Sequence, residues 1–208
     1  MAEKRRFLST AYTVKSDAET RAFYDSWAEI YDDELTENSY RQPARCAETL
    51  RLMADPDGCA VLDVGCGSGM SGLALCSVGF ETVDGCDFSS GMLAKAAKTG
   101  TYRRLFETNL NEPPMDVPDD TYRAAACVGV FSFGHVRADA LDDILRVIRP
   151  GGALVIGLND TFYREGSLIA KLDALATLGR ITIREQEHGE HIPGTGLTGW
   201  VISAYKIA

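Results

Sequence analysis

Residues 61–72 read VLDVGCGSGMSG. A short apolar run, CAVLDV (59–64), leads into a loop with glycine at 65, 67 and 69. An apolar run of this length bounded by a turn reads as a short buried strand, and the residues after the loop, through about Val78, read as a helix. A strand, a glycine loop and a helix in this order let a ligand approach the backbone at the strand's end. Two ligand classes are weakened by the spacing. No Gly-Lys-Ser/Thr follows, which removes a P-loop, and Met70 stands where a dinucleotide fingerprint has its third glycine. Asp63, two residues before the first glycine, narrows the choice further. A carboxylate there repels a pyrophosphate and favours a cationic group such as an ammonium. S-adenosylmethionine has an amino group and a sulfonium and no phosphate, so it fits; Asp63 could also accept backbone N–H bonds within the loop.

Working outward, strands and helices alternate. FETVDGCD (80–87) reads as the second strand, and Ser89 or Ser90 can cap a helix that carries Met92, Leu93, Ala96 and Ala97. YRRLFETN (102–109) is the third strand and LNEPPMDVPDDT (110–121) a loop. YRAAACVGVF (122–131) is the fourth strand. Leu141, Ile144, Leu145 and Ile148 mark a helix that PGG (150–152) stops, and ALVIGLN (153–159) is the fifth strand. A helix within about 166–178 precedes a closing pair of strands, 181–188 and 199–207. Such alternation predicts an α/β fold, a mostly parallel sheet with helices on both faces. Upstream, Phe23, Trp27, Ile30 and Tyr31 share one helical face, Gln42-Pro43 opens a second helix through about Met53, and DPDG (55–58) closes the region. Residues 1–54 are therefore expected to be an arm and helical lid over the strand ends, part of one domain whose core is 55–208.

Composition agrees. A chain of 208 residues, 45% hydrophobic and 25% charged, suits one domain. Its 30 acidic against 21 basic residues, net −9, disfavour nucleic acid as partner. Six cysteines without a CxxC pair read as small buried hydrophobes in a reducing compartment. The apolar stretch after Lys4-Arg5-Arg6 is too short for a signal peptide, and no run reaches membrane-spanning length. The expected setting is cytoplasmic, as a monomer or homodimer, with no membrane partner.

Candidate ligand residues follow the strand ends. Asp87 ends the second strand, where an acid can accept from both ribose hydroxyls or meet a helix dipole. Phe88 and Met92 offer apolar surface to an adenine, or pack in the core. Asn109 can both donate to and accept from an adenine edge, or form a turn, and Leu110 follows it. The backbone at Cys66, Gly67 and Ser68 lines the ligand.

Taken together, VLDVGCGSG, DGCDFSSGML, NLNEPP, RAAACVGVF and ILRVIRPGGALVI resemble the class I S-adenosylmethionine-dependent methyltransferases, over roughly residues 20–160. FYDSWAEIYDDEL and CVGVFSFGHV resemble a methyltransferase-like subgroup related to the protein encoded in the Williams–Beuren deletion region. The resemblance implies a Rossmann-like seven-stranded sheet with an antiparallel last strand. It also implies that Asp63 and Gly65 face the methionine end of the cofactor, Asp87 the ribose and residues 109–110 the adenine. The backbone near Val128 would meet the amino-acid end. Many members carry an acid where this chain has Asn109, whose amide oxygen can still accept from the adenine amino group.

Methyl transfer from a sulfonium is an in-line displacement that needs alignment more than a general base. His135, after the fourth strand, is the candidate base. Tyr24 and Tyr31, seven apart on one helix flank, could close over the ligand, and Asn159, Asp160 and Tyr163 could touch an acceptor. His188 and His191 with Glu187 and Glu190 suggest a metal only weakly, and none is expected. The Asn/Asp-Pro-Pro-aromatic run of base-modifying members is absent, since that position reads CVGVF. The expected function is therefore methylation of a small molecule at O, N or S. A non-catalytic S-adenosylmethionine-binding module and an NAD-dependent oxidoreductase are the alternatives; Asp63 and the missing glycine disfavour the latter.

Overall fold

The computed structural model describes residues 31–131 and 136–207. Seven strands form one sheet: β1 (Ala60–Val64), β2 (Thr82–Asp87), β3 (Tyr102–Glu107), β4 (Tyr122–Val128), β5 (Ile148–Asn159), β6 (Ile181–Ile192) and β7 (Leu197–Lys206). Their order is β3-β2-β1-β4-β5-β7-β6. The first five are parallel, and β7 runs antiparallel to both β5 and β6. The strand order reverses between β1 and β4, which is where an open α/β sheet leaves a crevice beyond its strand ends.

β1 explains why its sequence has no polar alternation. Val61, Leu62, Asp63 and Val64 are all buried because helices cover both faces. Leu62 and Val64 join the core built by α5 (Ala140–Val147) and α7 (Ser167–Thr177), while Val61 joins the opposite core of α2 (Gln42–Met53) and α3 (Met70–Ser77). Asp63 points by alternation to the α3 side, where Ser71 bonds to it.

Several expected boundaries shift, each for a local reason. The fourth strand stops at Val128, not Phe131, because Gly129 takes a φ of 72°, which ends the extended backbone. Ile148 belongs to β5, not to α5. It pairs with Tyr122, and a register shift between Tyr122 and Ala124 absorbs the PGG, which lies within β5 rather than ending a helix. The helix expected within 166–178 is α7, and a further short helix, α6 (Asp160–Glu165), precedes it across Gly166. The side chain of Asn159 caps α6 by accepting from Phe162 N–H at 3.1 Å. β6 extends to Ile192.

The residues before 55 were expected over the strand ends. Those before Tyr31 lie outside the described residues. α1 (Tyr31–Glu37) is followed by α2, which lies on the sheet face and buries Cys46, Ala47 and Leu50. α4 (Ser90–Lys98) is capped by Ser89, whose Oγ accepts from Met92 N–H at 3.1 Å. Arg146 donates to Met115 O, Val117 O, Asp119 and Asp143, and so fastens the 110–121 loop to α5.

Candidate active site

The glycine loop carries Gly65 and Gly67 at φ of 62° and 53°, a region that costs other L-residues strain. Space separates the two. A Cβ on Gly65 would stand 2.7 Å from Val130 Cγ2, so the segment after β4 lies tightly over it, whereas a Cβ on Gly67 would meet nothing within 4 Å. The loop therefore presents open backbone at Gly67.

Asp87 braces this loop. Its Oδ2 accepts from Gly67 N–H at 2.9 Å and its Oδ1 from Ser89 N–H at 2.9 Å, while Cys66 N–H donates to Cys86 O at 2.9 Å. One carboxylate thus ties the end of β2 to both the β1 loop and the start of α4. A carboxylate takes up to about four donors, so this bracing is compatible with ribose hydroxyls as further donors.

Asp63 is fully buried. Ser71 Oγ and Tyr102 Oη each donate to its Oδ2 at 2.7 Å, and its Oδ1 is buried with no hydrogen-bond partner among the described residues. Burial pushes its pKa up to about 7, against the pull of these two hydrogen bonds and with a smaller push from the Asp87 charge. Tyr102 reaches Asp63 through a slot that glycine leaves open. A Cβ on Gly72 would stand 2.3 Å from Tyr102 Oη. Replacing Gly72 with alanine is expected to destabilise the fold by about 1–3 kcal/mol, read by urea unfolding, because the phenol must move off Asp63. An unchanged midpoint would mean that the slot yields at no cost.

The other expected residues separate. Phe88 is half-buried beside Asp87, but Met92 and Leu110 are core residues, 2% and 8% exposed. Ser68 and Cys66 are buried, with the Cys66 thiol pushed up by burial, which leaves the loop backbone as the presenting surface. Asn109 forms a turn, accepting from Asn111 N–H at 3.0 Å through Oδ1. Asp160 accepts from Thr198 Oγ1 at 2.6 Å and pairs with His188 at 3.1 Å. Tyr163 stacks on Trp200 at 4.1 Å and donates to Gln186. The two histidines are not brought together: His191 turns to Gln42, 3.0 Å away. Tyr24 and His135 lie outside the described residues, as does the side chain of Tyr31.

A family model described as a methyltransferase domain matches residues 61–152. Methyltransferase-like protein 27 of Homo sapiens is 33% identical over 185 residues, covering 86% of this chain and 75% of its own length. The chain is a class I S-adenosylmethionine-dependent methyltransferase. A demethylmenaquinone methyltransferase of Bacillus licheniformis is 33% identical over 131 residues, 60% of this chain and 56% of that protein. Among solved structures, a chain of the complex between the Haloferax volcanii Trm112 methyltransferase activator and its methyltransferase superposes with a TM-score of 0.67. It is 18% identical, with 89% of this chain and 98% of that one covered, a likeness of fold.

The cofactor of this methyltransferase is S-adenosylmethionine, and the site suits it. A buried, unpartnered Asp63 Oδ1 needs a donor, and the ammonium of an amino-acid tail supplies one, directly or through water. The open backbone at Gly67 leaves room for it. Among the described residues no helix is long and apolar enough to cross a membrane. Sequence reasoning missed Ser71 and Tyr102. Ser71 lies within the glycine-loop segment and was open to inspection; Tyr102 needs the parallel pairing of β2 and β3 to come near Asp63.

Proposed function

We propose that this methyltransferase acts on a small molecule, with the cofactor lying across the ends of β1, β2 and β4. Asp63 and the backbone of Gly65, Cys66, Gly67 and Ser68 hold the amino-acid end, with the backbone at Val128. Asp87 takes the ribose, and Phe88 covers the adenine, whose edge reads against Asn109 and Leu110. Met92 contributes from below, as the packing that seats Phe88 and α4. When bound, the cofactor supplies an activated methyl group; the chain's own residues align it and exclude water. His135 stands as the candidate proton acceptor, and Tyr24 and Tyr31 as the cover.

The observation that carries this reading is the junction of the acid at β2 with the glycine loop at β1, the Asp87–Gly67 bond at 2.9 Å. Two supports favour a small acceptor. The net charge of −9 is unsuited to a polyanion, and relatives include proteins named for small acceptors, demethylmenaquinone and, in Rattus norvegicus, glycine.

Calorimetry with S-adenosylmethionine, S-adenosylhomocysteine and NAD in parallel tests the cofactor assignment. Both sulfur ligands are expected to bind and NAD is not; heat from NAD alone would overturn the reading. Release of S-adenosylhomocysteine across a library of small hydroxy, amino and thiol compounds then tests the acceptor class. Release only with nucleic acid or protein would refute it.

A further inference from the structure

The sheet divides at its point of strand reversal. The residues assigned above to the cofactor stand at the ends of β1, β2, β3 and β4, which leaves the β5-β7-β6 half of the sheet to the acceptor. That half ends in the β6–β7 turn (Pro193–Thr195), and Asn159 at the end of β5 pairs with Gly199 of β7. His191, the second-last residue of β6, therefore stands at the ligand end of the sheet.

Tyr40 joins it to the site. A Cβ on Gly129, just after β4, would lie 3.4 Å from Tyr40 Oη, and the Tyr40 ring meets His191 edge-on, centroids 5.3 Å apart at 72°. His191 is 5% exposed.

Hydrogen bonding fixes which ring nitrogen carries the proton. Gln42 Nε2 donates to Trp200 O at 2.6 Å, and its Oε1 faces Arg45 Nη1 at 3.4 Å and His191 Nδ1 at 3.0 Å. A carbonyl oxygen can only accept and a guanidinium can only donate, so the amide has one orientation. Its oxygen then requires a proton on Nδ1 of a neutral His191, and Nε2 is left with a lone pair. Burial first, then the positive charge of Arg45, holds the His191 pKa down to about 4, with Asp160 opposing, so the ring is neutral at ordinary pH. Nε2 has no hydrogen-bond partner among the described residues. It is not sealed either, since Asp63 Oδ1 alone among their side-chain polar atoms is both buried and unpartnered.

We propose that His191 Nε2 binds the methyl acceptor, accepting a hydrogen bond from a neutral O–H or N–H group that the acceptor presents beside Tyr40. This rests on the small-molecule reading above. Gln42 and Arg45 are positioning residues: they hold the tautomer and do not touch the acceptor. A neutral imidazole imposes no charge preference, so the selection is for a hydrogen-bond donor.

The chain has three histidines, His135, His188 and His191, so imidazole 15N NMR of the full chain is tractable, with His191→Asn assigning the resonance. Asparagine keeps an N–H for Gln42 and has nothing at the Nε2 position. With the protein saturated by S-adenosylhomocysteine, His191 is expected to show a bare Nε2 from pH 5.5 to 8. Phenol, a neutral O–H donor, is expected to shift that resonance, and anisole, its methyl ether, is not. In His191→Asn, phenol binding is expected to be lost while the S-adenosylhomocysteine affinity stays within about twofold. A protonated Nε2 at rest, a shift by both probes or by neither, or undiminished phenol binding in the variant overturns the proposal. Should the variant not fold, the wild-type spectra still decide. Absence of S-adenosylhomocysteine binding to the wild type, read first in the same titration, would instead be a failure of the cofactor reading.

Discussion

Replacing Asp87 with alanine lowers the affinity for S-adenosylhomocysteine by about 1–3 kcal/mol, roughly 5- to 150-fold, in the expected result. Two losses combine. The ribose hydroxyls lose a charged acceptor, and Gly67 N–H and Ser89 N–H lose the oxygens they donate to at 2.9 Å. The second loss loosens the loop that forms the other wall of the site. Asp87→Asn does not rescue it, because the amide nitrogen would face one of these backbone N–H groups, donor against donor. Calorimetry gives the affinity and thermal unfolding gives the structural share. Wild-type affinity in the alanine variant would remove Asp87 from the cofactor site.

The second large effect is a pH dependence carried by Asp63. Its folded pKa is raised from 3.8 to about 7. Between these values the folded, ligand-free chain holds a proton that the unfolded chain has released, so its stability falls as pH rises through this window. Binding runs the other way. An ammonium near Oδ1 favours the carboxylate, so affinity for S-adenosylhomocysteine grows from pH 5.5 to 8, by up to about tenfold per unit below the pKa. Asp63→Asn is expected to flatten both profiles and to weaken binding at pH 8 by about 1.5–3 kcal/mol. A wild-type affinity that does not vary with pH would remove Asp63 from the cofactor site.

The same two acids show what was legible in the sequence. Asp63 and Asp87 stand out in the sequence because each lies at a fixed offset from a strand and a loop, and those offsets are local. The glycine loop reads from sequence as backbone left open to close approach, and a Cβ on Gly67 would meet nothing within 4 Å. The bonds these acids make were not legible. Tyr102 is 39 positions from Asp63 and meets it only because β3 joins the sheet beside β2. The PGG turn was misread for a related reason. Gly and Pro signal a break in local structure, but pairing of Ile148 with Tyr122 continues the strand around them.

The sequence by itself determined the alternation of strands and helices, the buried parallel strands and the glycine loop with its two acids. Each of these follows from backbone geometry and apolar periodicity over a few residues. Only the tertiary structure decided the charge state of Asp63, because burial sets it and burial is a property of the packed sheet. It alone brought Tyr40 and Gln42 to His191, since Gln42 and His191 are separated by 149 positions. Hydrogen-bond direction, and with it the tautomer of a histidine, depends on partners that no local pattern in the chain specifies.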